Sequence, residues 1–416
     1  MSEIDFAFEG GGAKGIVFAG ALQELARRSQ LTPGRLLGTS AGAISATLLA
    51  AGYTPQEMLV ALQERDVNDK PVFVGFLGEP APFDEEAISN SAIRRLLSDI
   101  DIPLLPNAAE QRADDWIASK LAAHPFGRHL FAFVERGGWY AADRFVAWFE
   151  RMLDSGEFNG APRAFSAMTM AAFHAATGKE LTLVAADTTA QRMLLLNHRT
   201  APDLPVVYAT RMSMSVPLLW EEVIWQEGWG DYHAWDAKTG TLKPAPMTGA
   251  EIVDGGLLSN FPLALLMSDR PDVNAIMGPP RTKNVLGLLI DETLPVPNRP
   301  ERPATGSGGL AATLGGSRTA GRLQRLLNTA TCAHDNLAKA VFAANVVRLP
   351  AGGYGTTQFD MTDEERAALM AAGQQAMAAF LSTQSVLESA DRELEFPVDA
   401  AVLSAANAAA AAILAP

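Results

Sequence analysis

One cysteine in 416 residues, Cys332, excludes an internal disulfide and any thiolate metal cluster, and leaves that side chain as a small residue of a helix. Basic residues are also few. Lys and Arg number 33 against 47 Asp and Glu, a net charge of -14, which excludes nucleic acid as a partner and opposes unaided docking to an anionic membrane. No apolar run reaches the roughly 18 to 20 residues of a membrane span, and the Ala-rich stretch 400–415 is too short and too weakly hydrophobic. Any contact with lipid is therefore expected to be peripheral. Residues Met1 to Asp5 lack the basic stretch and apolar run of a signal peptide, so the expected location is the cytoplasm, with non-classical export left open.

What remains is an ordinary composition for a folded α/β protein, 48% hydrophobic and 19% charged, long enough for two or three domains. The most informative stretch is Gly38-Thr39-Ser40-Ala41-Gly42. Arg35 to Leu37 can end a buried strand, and Ala43 to Ala51 form a helix that stops at Gly52. A serine between them sits on a sharp strand-to-helix turn, with its hydroxyl at a helix N-terminus that favours a developing oxyanion. Gly38 and Gly42 leave room for the neighbouring backbone.

Upstream, Ile4 to Phe8 alternate as a strand, Glu9 to Gly15 form a glycine loop, and Ile16 to Arg28 show helical spacing. The loop fits G-x-G-x-x-G, but the acidic residue that a dinucleotide site needs about 20 residues on is missing. The Gly-Lys-Ser/Thr ending of a phosphate loop is missing too. Consecutive amides at a helix start can instead hold an oxyanion, with Lys14 either adding charge or standing solvated. Downstream, Glu251 to Val253 deliver Asp254 into Gly255-Gly256, where it can take the Ser40 proton or mark a type I′ hairpin.

Other segments read as follows: a helix over 53–70, then mixed helical segments over 71–136, either a lid or a helical layer. An aromatic core helix runs over 139–153, strands over 180–187 and 192–197, and a helix ends at Ser215-Val216-Pro217. Then come an inserted hairpin within 221–250, a strand over 285–290, a Pro/Gly/Ser-rich loop over 295–318 and helices over 321–344 and 363–380. Thr362 and Glu365 have capping-box spacing.

The histidines bear on mechanism. Only His334 follows the acid as a Ser-His-Asp triad of the α/β-hydrolase order requires, and it falls mid-helix. His124 and His129 flank Pro125 and Gly127 without a third ligand, while His174, His198 and His233 stand isolated. A Ser-Asp dyad without metal or other cofactor is the better inference. The order of glycine loop, G-x-S-x-G, S-x-x-P (Ser213 or Ser215 with Pro217) and D-G-G resembles the patatin-like phospholipase family, from about Ile4 to Leu381 and including Phe359 to Glu365.

That resemblance implies a three-layer α/β/α sandwich with a mainly parallel sheet. It also implies cleavage of acyl esters in phospholipids and related lipids. Carried onto this chain, Ser40 would be the nucleophile and Asp254 the base. The Gly10-Gly11-Gly12-Ala13-Lys14-Gly15 loop would form the oxyanion hole, chiefly through the amides of Gly11, Gly12 and Ala13. Residues 1–381 would be the catalytic domain, with insertions at about 71–136 and 221–250, and 382–416 a helical tail. An acidic surface implies that access to lipid depends on a lid, a small-molecule activator or a protein partner. Small-ester hydrolysis, transacylation and a silent lipid-binding protein are the alternatives.

Overall fold

The computed structural model describes residues 3–28, 32–99, 107–300, 341–384 and 395–414. Cys332, His334, residues 100–106 of the mixed helical stretch, most of the 295–318 loop and most of the helix expected over 321–344 lie outside the described residues. Strand β1 (Ile4–Phe8) and strand β2 (Pro33–Thr39) lie at the centre of an eight-stranded sheet. From one edge the order is Val346–Gly352, Val285–Pro295, β1, β2, Glu180–Asp187, Glu251–Asp254 and Val223–Ile224, with Arg192–Leu196 also paired to Glu180–Asp187. The pairings from Val346–Gly352 across to Glu180–Asp187 are parallel. Those of Glu180–Asp187 with Glu251–Asp254 and Arg192–Leu196, and of Glu251–Asp254 with Val223–Ile224, are antiparallel.

The layers follow from strand alternation. Phe6, Phe8, Leu36, Leu183 and Leu288 enter one hydrophobic cluster, while Ala7, Leu37, Val184 and Leu289 enter a second. Successive side chains leave opposite faces of a strand, so a strand buried throughout needs cover on both sides. Helix α1 (Ile16–Arg28), helix α2 (Ala41–Ala50) and the Asp363–Gln384 helix cover one face; Ala264–Met267, Pro271–Met277 and Ala400–Ile413 cover the other. The architecture is the expected α/β sandwich with a mainly parallel sheet. No helix among the described residues is long and apolar enough to cross a membrane.

Several local expectations need correction. The helix read over 53–70 runs only from Pro55 to Leu62 as α3, with Thr54 and Glu57 forming a capping box. Beyond it, the Asp66 carboxylate accepts the Asn68 and Lys70 N–H groups, an Asx turn that competes with helical bonding. The 139–153 helix begins only at Asp143, because Gly138–Tyr140 pairs in parallel with Leu218–Trp220. Its aromatics are core as expected, with Phe145, Trp148 and Phe149 buried.

Within 71–136, Glu85–Asn90 and Ala92–Ser98 form two helices that meet at Ser91, whose hydroxyl caps the second. The Val346–Gly352 strand went unread; it lies at the sheet edge, the position that tolerates its internal Pro350. The hairpin in 221–250 is present as Tyr232–Asp236 against Thr241–Ala245. Between 85 and 135 the helices share a small core of Ile93, Ala118, Ala122 and Phe131.

Candidate active site

Three chain turns converge at the carboxyl ends of β1 and β2, the crevice where open α/β sheets hold ligands. β2 delivers Ser40 with φ 55° and ψ -121°, a left-handed conformation that a non-glycine residue holds only where its surroundings impose it. The glycines on either side permit this crossing. A β-carbon on Gly38 would stand 2.4 Å from the Gly42 carbonyl, and one on Gly42 would stand 2.3 Å from the Phe8 carbonyl. The Ser40 N–H donates to Ser213 Oγ at 3.1 Å, which anchors the turn from the Val206–Met214 helix.

Sheet register brings Asp254 to the same level. Thr39 pairs with Val184, and Asp254 pairs with Ala185 across the next strand, so Ser40, one residue past Thr39, stands level with Asp254. The reading of Asp254-Gly255 as a hairpin turn is thereby replaced, since Gly255–Leu257 is a 3-10 turn leading off the strand. Ser215 contributes here, its carbonyl accepting the Asp254 N–H at 2.8 Å. One short segment, Ser213-Met214-Ser215, thus touches the backbone of both Ser40 and Asp254.

Asp254 is buried. Its Oδ1 accepts the Gly256 N–H at 2.7 Å, while Oδ2 is buried without a hydrogen-bond partner among the described residues. Burial penalises the charged carboxylate and pushes its pKa up to about 7, against the opposing pull of the Ser40 hydroxyl and the Gly256 N–H. A carboxyl poised there can accept a proton near neutrality, as a general base must.

The glycine loop forms the third turn. Gly10 N–H donates to Asn260 C=O at 3.2 Å, Ala13 N–H to Thr356 C=O at 2.9 Å, and Lys14 N–H to Gly11 C=O at 3.2 Å. Ala13 therefore drops out as an oxyanion donor, because its N–H is spent on the Thr356 carbonyl. Among the described residues, the N–H groups of Gly11 and Gly12 have no protein acceptor. Lys14 is neither solvated nor free: its ammonium is buried and paired with Glu292. The Gly15 backbone lies behind the elbow, where a β-carbon would stand 2.9 Å from that of Ala41.

Ser40, only 6% exposed, and Gly12 line a cavity of about 720 Å³ including its open mouth. Its walls are mostly apolar, with Ile44, Leu62, Phe73, Phe76, Trp220 and Phe359 drawn from distant segments, and Arg366 is the charged residue among them. Trp220 Nε1 donates to the Phe76 carbonyl at 2.9 Å, and its ring meets Phe359 edge-on at 5.5 Å.

Two histidines read as isolated are in fact in contact. The His174 and His198 rings stack 3.7 Å apart and within 2° of parallel, beside Glu180. Burial, and after it the Arg199 charge, pulls the His198 pKa down to about 4. The donor set is one a metal ion can use, but Glu180 already accepts two hydrogen bonds from Arg199, at 2.6 and 3.0 Å, and one from Arg281 at 2.9 Å. A cation entering there must displace two guanidinium groups. The cluster also sits at the opposite end of the sheet from Ser40, since Glu180 pairs with Arg35 at the start of β2.

Sequence reading missed Asn260, whose only signal is its place six residues after Asp254. Its side-chain amide donates to the Gly10 carbonyl at 3.0 Å and to Glu9 Oε1 at 3.4 Å.

Elbow serine, buried acid and glycine loop thus meet at one end of a mainly parallel sheet. Residues 6–267, more than half of the chain, match the family of patatin-like phospholipases, and the chain belongs to that family. It is 27% identical over 386 residues to the uncharacterized protein YqhO of Bacillus subtilis, covering 91% of this chain and 98% of the relative. Among solved structures it is similar to VipD from Legionella pneumophila, with TM-score 0.44, 17% identity, and coverage of 92% of this chain and 67% of VipD. The type III effector ExoU gives TM-score 0.37 at 17% identity, with 93% of this chain and 54% of ExoU covered.

Proposed function

We propose that this protein hydrolyses acyl esters of phospholipids or lysophospholipids as a serine esterase, with Ser40 as nucleophile and Asp254 as general base. The observation that carries the reading is that Ser40 and Gly12, a loop residue whose amide is unspent, open onto one apolar cavity, with a buried acid level with the serine. Family membership supports lipid hydrolysis at the coarser level.

In this reading an acyl chain occupies the cavity and presents its ester carbonyl to Ser40. Oγ attacks the carbonyl carbon while Asp254 takes the hydroxyl proton. The carbonyl oxygen becomes an oxyanion held by the N–H groups of Gly11 and Gly12, each worth about 3 to 4 kcal/mol in the transition state. Collapse expels the alcohol, which receives the proton from Asp254. Water then attacks the acyl-enzyme while Asp254 takes its proton, and the intermediate collapses as Asp254 returns that proton to Ser40 Oγ and the fatty acid leaves.

Phe73 and Phe76 from the inserted segment line the cavity beside Ser40, which supports a lid role for that segment. Peripheral contact with a lipid surface, assisted by a protein or small-molecule activator, fits the net charge of -14. The test is release of free fatty acid from mixed phosphatidylcholine and phosphatidylglycerol micelles by wild type, Ser40→Ala and Asp254→Ala. Activity in the wild type alone supports the dyad; full activity in either variant rules it out. Labelling of Ser40 by a fluorophosphonate separates an enzyme inactive on these lipids from one lacking a reactive serine.

A further inference from the structure

We propose that Asn260 is the positioning residue that aims the Gly11 N–H at the oxyanion. The proposal rests on the hydrolase reading above. Asn260 grips Gly10 from both sides, its main-chain carbonyl accepting the Gly10 N–H at 3.2 Å and its Nδ2 donating to the Gly10 carbonyl at 3.0 Å. The second bond is the consequential one. Every described peptide bond is trans, and in a planar trans peptide the carbonyl of one residue points opposite to the N–H of the next. Holding the Gly10 carbonyl toward Asn260 therefore turns the Gly11 N–H away from it, and that N–H has no protein acceptor among the described residues.

The amide itself is held in one orientation. Nδ2 also donates to Glu9 Oε1 at 3.4 Å, while the Glu9 carboxylate accepts the Ile290 N–H through its other oxygen. Both groups facing Nδ2 are acceptors, so a flipped amide would set oxygen against oxygen.

The opposite atom, Oδ1, explains two glycines at once. A β-carbon on Gly10 would stand 2.1 Å from it, and one on Gly256 would stand 2.9 Å from it. One glycine belongs to the loop and the other to the acid turn. Asn260 thus occupies space vacated by both, and couples the donor loop to the turn whose Gly256 N–H holds Asp254.

The experiment compares wild type, Asn260→Ala and Asn260→Asp on a soluble ester, p-nitrophenyl butyrate, and measures inhibition by a trifluoromethyl ketone. That inhibitor forms an anionic hemiketal with the serine and so reads the oxyanion site directly. A misaimed donor is expected to lower kcat by about 100-fold with KM nearly unchanged, and to weaken the ketone in the same proportion. Asn260→Asp keeps the shape but presents an acceptor to two acceptors, so it should lose at least as much. If Asn260→Ala does not fold, Asn260→Asp carries the same test.

Unchanged ketone affinity in folded variants, whatever happens to kcat, overturns the aiming role and leaves the hydrolase reading standing. A wild type that neither turns over ester nor labels at Ser40 overturns that reading and this proposal with it.

Discussion

In the proposed mechanism Asp254 carries opposed demands: burial favours its neutral form, and proton acceptance needs the charged one. With its pKa raised to about 7, kcat/KM is expected to climb through an ascending limb centred near pH 7, read from a pH–rate profile. Asp254→Asn should lower kcat on the order of 10³- to 10⁴-fold, as loss of one member of a catalytic set does. The same shift makes a stability prediction of opposite sense. The folded protein holds a proton on Asp254 that the unfolded chain loses near its ordinary value of 3.8. The stabilisation from that proton is complete below about pH 4 and is lost as pH rises through about 7. Asp254→Asn should therefore melt at a higher temperature than wild type at pH 8, with a smaller gap at pH 5, in thermal scans across that range.

At the scale of elements, the end of the Val206–Met214 helix is the strut of the site. Ser213 Oγ receives the Ser40 N–H, and the Ser215 carbonyl receives that of Asp254. Ser213→Ala leaves the elbow amide buried without its acceptor, and should cost about 1 to 3 kcal/mol in chemical denaturation while lowering kcat more than KM. The Val72–Phe76 turn makes a different kind of contribution. Phe76 is 2% exposed and packs edge-on against Phe145 at 5.3 Å while facing the cavity. Phe76→Ala is expected to cost about 3 kcal/mol and to move the preferred ester toward a longer or branched acyl chain, measured over a chain-length series.

For the whole molecule, the acidic excess sets how it meets a charged surface. A net charge of -14 repels anionic vesicles over about 10 Å at 0.1 M salt, and over longer distances in more dilute buffer. Hydrolysis of phosphatidylglycerol vesicles should therefore rise as salt is raised toward about 0.15 M, while that of phosphatidylcholine vesicles stays flat. An anionic-vesicle rate that falls with salt would place a local basic patch, rather than net charge, in control of docking.

Sequence alone determined the elements whose signals are local: the β1 strand and its glycine loop, the elbow at Ser40, the strand carrying Asp254, and the Thr362–Glu365 capping box. Each is written in residue type and short spacing, so each was legible without neighbours. Where side chains compete with the backbone, as at Asp66, periodicity overran the helix; where a distant strand supplies a partner, as for Gly138–Tyr140, propensity misread it. Tertiary structure decided what depends on contacts across the chain. It set the register that levels Asp254 with Ser40, and spent the Ala13 amide on Thr356. It also stacked His174 on His198, and set Asn260 between two glycine turns. Asn260 and Gly10 stand 250 positions apart, and no local pattern encodes such a meeting.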